Sequence, residues 1–121
     1  MADEITAQFY LKFNKNSNSV PQMTPSTQSI DVTGDHYNQT TQEIGTSAEA
    51  LRLGEIGTPG YIMVHNLDAT NYIEIGYDDS GFKPLVKLKP GEWSLFRLAQ
   101  AAPQAKADTA ACDLEFLLIE D

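Results

Sequence analysis

The sequence holds one cysteine, Cys112, so no disulfide can form within the chain, and cysteines of this chain alone cannot build a zinc site. Long apolar runs are missing too. Stretches such as Tyr61-Ile62-Met63-Val64 fall far short of the ~20 residues that a membrane-spanning helix needs. Basic residues are scarce: 8 Lys and Arg stand against 17 Asp and Glu, giving a net charge of −9 at pH 7. That balance opposes approach to phosphate backbones and to anionic lipid, so neither nucleic acid nor a membrane is expected as a partner. Three motifs are also lacking: the Gly-x-x-x-x-Gly-Lys-Ser/Thr phosphate loop, the Gly-x-Ser-x-Gly nucleophile elbow and His-Glu-x-x-His. Glycine does not occur before Gly34.

What is present fits one folded domain. The chain has 121 residues, 41% of them hydrophobic and 21% charged, too apolar for wholesale disorder and too short for a second core. Its acidic start, Met1-Ala2-Asp3-Glu4, is unlike the basic start of a signal peptide, and the expectation is synthesis in the cytoplasm.

The pattern along the chain is that of β-strands. Ile5, Ala7, Phe9, Leu11 and Phe13 alternate with polar positions, which predicts a half-buried strand. From Asn14 to Ser47, 19 of 34 residues are Ser, Thr, Asn or Gln, which compete with helical hydrogen bonding. Residues 14–26 read as an exposed loop, followed by strands near 28–33 and 37–44. Gly57, Pro59 and Gly60 mark a turn before a strand at 61–66. Residues 71–77 alternate again, and the intervening Leu67-Asp68-Ala69-Thr70 suggests a hairpin between the two. Asp78-Asp79-Ser80-Gly81 and Lys89-Pro90-Gly91 are turns by residue type, and they bracket a strand at 85–88, with another at 92–98.

Residues 98–111 carry seven alanines, which favour helix, yet Pro103 interrupts them and no apolar stripe runs at helical spacing. Strand and loop are expected there. The C-terminal run Asp113 to Asp121 reads as a central strand. The predicted fold class is therefore all-β: a single antiparallel β-sandwich, jelly-roll-like, over residues 1–121 with a polar N-terminal arm and loop region.

Candidate chemistry is thin. Cys112 with His36 or His65 supplies a nucleophile and a base only on paper, and a small buried hydrophobe is the commoner role for a cysteine at the head of an apolar strand. Neither histidine has a second ligand at metal spacing. Asp68, Glu74, Asp78 and Asp79 could gather oxygens for calcium but lack the spacing of a calcium loop and suit turns better. No catalytic, metal or cofactor site is predicted. Tyr61, Tyr72, Tyr77, Phe82, Trp93 and Phe96 fall within 36 residues, which places the expected core in the second half; an exposed carbohydrate-binding stripe is the alternative.

Gly57 to Gly76, with its Pro59-Gly60, Asn66-Leu67-Asp68 and Thr70-Asn71-Tyr72 elements, is followed by Leu88-Lys89-Pro90-Gly91-Glu92-Trp93 and Lys106-Ala107-Asp108-Thr109-Ala110-Ala111. In order and spacing, these segments resemble a group of small structural proteins of tailed double-stranded DNA bacteriophages. The resemblance covers Gly57 to Asp121. It implies a non-enzymatic virion component, foremost a capsid decoration or cement protein on the shell exterior. Its implied partners are the major capsid protein or another virion protein and further copies of itself, a trimer being favoured. A tail or head-to-tail connector component is the rival within the class. The strand with Ile5, Phe9, Leu11 and Phe13 is the candidate partner-binding segment, by addition to a neighbour's sheet edge or by pairing within its own sheet.

Overall fold

A computed structural model of the protein describes residues 4–15, 18–19 and 23–121. These contain strands and no helix, as the alternating patterns predict. The chain divides into two compact units, residues 1–33 and 34–121.

The first unit is a β-hairpin. Strand β1 (Ile5–Leu11) pairs antiparallel with β4 (Met23–Ile30), from Ile5 opposite Ile30 to Leu11 opposite Met23, with a bulge between Phe9 and Leu11. Beyond them β2 (Asn14–Lys15) pairs with β3 (Asn18–Ser19). The expected loop at 14–26 is therefore largely strand among its described residues; residues 16, 17 and 20–22 lie outside the described set. The expectation of a half-buried β1 also needs correction. Ala7 is buried, but Phe9, Leu11 and Phe13 are 40%, 65% and 48% exposed.

The second unit is a two-sheet sandwich. Its strands are β5 (Tyr37–Ile44), β6 (Glu49–Ala50), β7 (Pro59–Asn66), β8 (Ile73–Asp78), β9 (Phe82–Leu88), β10 (Trp93–Arg97), β11 (Gln104–Ala107) and β12 (Cys112–Glu120). One sheet has the order β10-β7-β12-β5 and the other β6-β11-β8-β9. Every pairing is antiparallel. The chain changes sheet at every connection except β8–β9, which is the strand order of a jelly roll. β12 is central, between β7 and β5, as its apolar run predicts.

Alternate residues from both sheets meet in one core of Ile, Leu, Val and Ala side chains, among them Ile44, Ile62, Val64, Ile73, Ile75 and Leu118. Phe116 is the one aromatic ring in that buried cluster. The six aromatics clustered at 61–96 are instead partly or largely exposed, so the aromatic core expected from their density is replaced by an aliphatic one.

The β7–β8 connection departs from the predicted hairpin because its two strands lie in opposite sheets. Asn66, fully buried at the end of β7, organises the crossing. Its side-chain amide donates to the Asn71 and Leu88 carbonyls, and its side-chain oxygen accepts from the Asp68 amide. Asp68 in turn accepts from the Thr70 and Asn71 amides. The predicted Lys89 to Gly91 turn forms as expected: Gly91 has φ 80°, and the Glu92 amide donates to the Lys89 carbonyl at 3.0 Å.

Candidate functional site: the outer face of the β10-β7-β12-β5 sheet

In β7 and β12 the core-facing residues are Ile62 and Val64, and Leu114, Phe116 and Leu118; the alternate positions point outward. Register then assembles those outward residues into rows. Leu117 stands opposite Gln39 on one side and Met63 on the other, and Met63 stands opposite Leu95. The next row runs Thr41, Glu115, His65, Trp93. A third joins Tyr37, Ile119, Tyr61 and Arg97.

The result is an outer face that mixes apolar and aromatic side chains with the carboxylates of Glu43, Asp113 and Glu115. Trp93 is 57%, Tyr37 68% and Met63 37% exposed. The Trp93 and His65 rings stack with centroids 3.7 Å apart and planes 7° from parallel. His65 Nδ1 lies 3.2 Å from Glu115 Oε1, so the imidazole is held from both sides. Arg97 covers the Tyr61 ring at 4.9 Å and pairs with Asp121 at 3.3 Å. Between Met63, Trp93, Glu115 and Gln39 lies a hollow of about 100 Å³.

The opposite sheet is dressed differently. Glu74 stands between Lys106 and Lys87, alternating charge across the strands, and the Lys87 ammonium sits 4.1 Å above the Tyr72 ring. Leu85 of β9 is also 72% exposed there, whereas the β10-β7-β12-β5 face exposes Trp93, Tyr37 and Met63, side chains that interfaces favour. A second apolar concavity, about 120 Å³ in volume, opens at the side of the sandwich between β8–β9 and the end of β10, lined by Ile75, Tyr77, Leu85, Val86, Phe96 and Leu98.

The weighed catalytic groups are not brought together. Cys112 is a core residue, whereas His65 projects from the outer face. Burial, reinforced by Asp68, pushes the Cys112 thiol up to about 11, away from thiolate chemistry. His36 is engaged elsewhere. Its ring lies 3.1 Å from Glu120, whose other carboxylate oxygen accepts from the Gly57 amide at 2.7 Å. Of the acids considered for calcium, Asp68 and Asp78 cap turns, Asp78 by accepting from the Gly81 amide, and Glu74 stands within β8 between two lysines. Among the described residues no group of three His, Cys, Asp or Glu side chains is arranged to hold a metal ion.

The candidate partner segment projects Phe9, Leu11 and Phe13 from the hairpin unit, with Tyr10 64% exposed on its other side and Ile5 partly covered. Sequence reading missed the sheet face. Its signal was present in Tyr61 and Met63 of β7 and Leu117 and Ile119 of β12, where apolar residues also take outward positions. Comparisons of this chain with protein-family models, with curated proteins and with solved structures give no match.

Proposed function

We propose that the protein is a non-enzymatic structural component of a tailed-bacteriophage virion, a capsid decoration protein that oligomerises and bridges capsid subunits. One observation carries the reading: a jelly-roll sandwich whose β10-β7-β12-β5 face exposes Trp93, Tyr37 and Met63 among acidic side chains. A surface of that kind is stable in water only at a cost and suits a permanent contact. Fold alone does not assign function, but jelly rolls recur in viral shells, and the turn-and-strand motifs of Gly57 to Asp121 support the same class.

The mechanism is affinity by repetition. A weak contact per copy becomes lasting once an oligomer engages several lattice sites, and a trimer matches a threefold position. The net charge of −9 keeps the protein off packaged DNA and fits the exterior of a shell. The test is co-sedimentation of the purified protein with undecorated capsids and, in parallel, with isolated tails. Retention on capsids is expected. Retention on tails alone would move the assignment to a tail or connector component, and retention on neither would end it.

Carbohydrate binding is the second reading, favoured by one feature: Trp93 exposed beside Gln39 and Glu115, an aromatic platform with polar neighbours. Binding on a glycan array, abolished by Trp93→Ala, would select it.

A further inference from the structure

We infer that the outer face of the β10-β7-β12-β5 sheet in one copy is covered by the N-terminal hairpin of a second copy. This deepens the oligomeric part of the reading above, and it is tested in solution without a shell. Its failure is thereby distinguishable from a failure to bind capsids.

Both surfaces are incomplete. An isolated two-stranded hairpin is marginal in water, and this one exposes Phe9, Tyr10, Leu11 and Phe13. The sheet face exposes Tyr37 and, beside a hollow of about 100 Å³ that has room for one large apolar side chain, Trp93 and Met63. Dimensions agree. The seven residues of β1 extend about 20 Å and the nine of β12 about 27 Å at the usual rise per residue, so the hairpin fits within the face.

Charge selects the occupant. From Ile5 to Ile30 the only charged residues are Lys12 and Lys15, towards the closed end of the hairpin; Asp3, Glu4 and Asp31 flank the strands in sequence, so residues 1–33 carry a net −1 and only the closed end is cationic. The sheet face carries the carboxylates Glu43, Asp113, Glu115 and Asp121 against the single cation Arg97. Glu43 and Asp113 stand directly opposite each other across β5 and β12. Two such faces pressed together would set acid against acid, which is costly where water is excluded. The closed end of the hairpin, with Lys12 and Lys15 beside the exposed Leu11 and Phe13, resolves both mismatches.

The test uses two full-length variants. The first, Lys12→Glu with Lys15→Glu, gives the closed end of the hairpin the sign of the face; the second, Glu43→Lys with Asp113→Lys, gives the face the sign of that end. All four positions are exposed, and circular dichroism melts check that each variant folds. In sedimentation velocity the unaltered protein should self-associate, and each variant alone should do so more than about tenfold more weakly. An equimolar mixture of the two should recover association, because the closed end of each hairpin then meets a face of opposite charge. Three results would overturn the inference: an unaltered protein that stays monomeric, variants that associate as well as it does, or a mixture that remains monomeric. The last would mean that the hairpin serves its own chain.

Discussion

Trp93 lies flat on His65, their ring centroids 3.7 Å apart across the β10–β7 pair, and His65 is braced from its far side by Glu115 on β12. Three strands thus present one indole to solvent at a fixed angle. The cost of exposing that ring makes sense when a partner covers it. Replacing Trp93 by Ala should leave the fold intact, since the ring is 57% exposed, and should lower stability by about 1 kcal/mol through loss of the stack. Association with capsids or further copies should fall far more steeply. Urea denaturation beside co-sedimentation separates the two effects, and a loss confined to stability would remove Trp93 from the binding surface.

Asn66 governs the crossing between sheets. Its side chain makes three hydrogen bonds from a fully buried position, two of them to the Asn71 and Leu88 carbonyls. Asn66→Ala strips the Leu88 carbonyl of that partner inside the core and leaves a small void, so a loss of about 3 kcal/mol is expected. Chemical denaturation measures it. A change under about 1 kcal/mol would show that the β7–β8 connection holds without this side chain.

The same connection explains where sequence was legible and where it was not. Strand identity was readable, because the alternation of β8, the apolar run of β12 and the Pro90-Gly91 turn are local facts. Partnership was not. Nothing in Leu67 to Thr70 distinguishes a hairpin from a crossover, because the decision lies in Asn66 reaching Leu88, 22 residues away. The aromatic cluster misled for a related reason. Trp93, Tyr61 and Tyr72 sit on outward positions, and density along the chain does not report which side of a pleat a residue takes. The hairpin's Phe9, Leu11 and Phe13 carried the alternation of a half-buried strand, yet they are 40%, 65% and 48% exposed.

The His36–Glu120 pair should make stability depend on pH in both directions. The Gly57 amide, and next His36, hold the Glu120 carboxyl down at about 2, against an ordinary 4.5. Glu120 raises the His36 imidazole above its ordinary 6.5. The carboxylate contribution is present above pH 4.5 and is lost as pH falls towards 2. The imidazolium contribution is present below pH 6.5 and is lost as pH rises through the elevated value. Melting temperature should therefore be highest between about pH 4.5 and 6.5 as far as this pair decides it. Glu120→Gln should flatten both limbs. An unchanged pH profile in that variant would show that the pair contributes nothing to folding.

Gly76 sits at the β8–β9 bulge, where the register shifts between Ile75 and Gly76 and a Cβ would overlap the Lys83 carbonyl oxygen. Backbone, not a flexible side chain, occupies that space. Gly76→Ala must push the edge strand β9 away and should cost about 2 kcal/mol or more. Gly45→Ala is the control, because its Cβ would meet only the Glu49 carboxylate at 3.4 Å. Equal melting temperatures for the two variants would mean that β9 yields without loss.

Cys112 should behave as a core side chain and not as a reagent. Its thiol is buried, is raised to about 11 and lies 3.4 Å from the Ala110 carbonyl oxygen. Little thiolate exists at neutral pH, and little of the sulfur is reachable. A disulfide reagent at pH 7.5 should therefore label the folded protein at least about a hundredfold more slowly than the urea-unfolded chain, since thiolate fraction and access both fall on folding. Cys112→Ala should keep capsid association while losing about 1 kcal/mol of stability from the vacated volume. Fast labelling of the folded chain, or loss of association in the alanine variant at unchanged stability, would return the cysteine to the list of working residues.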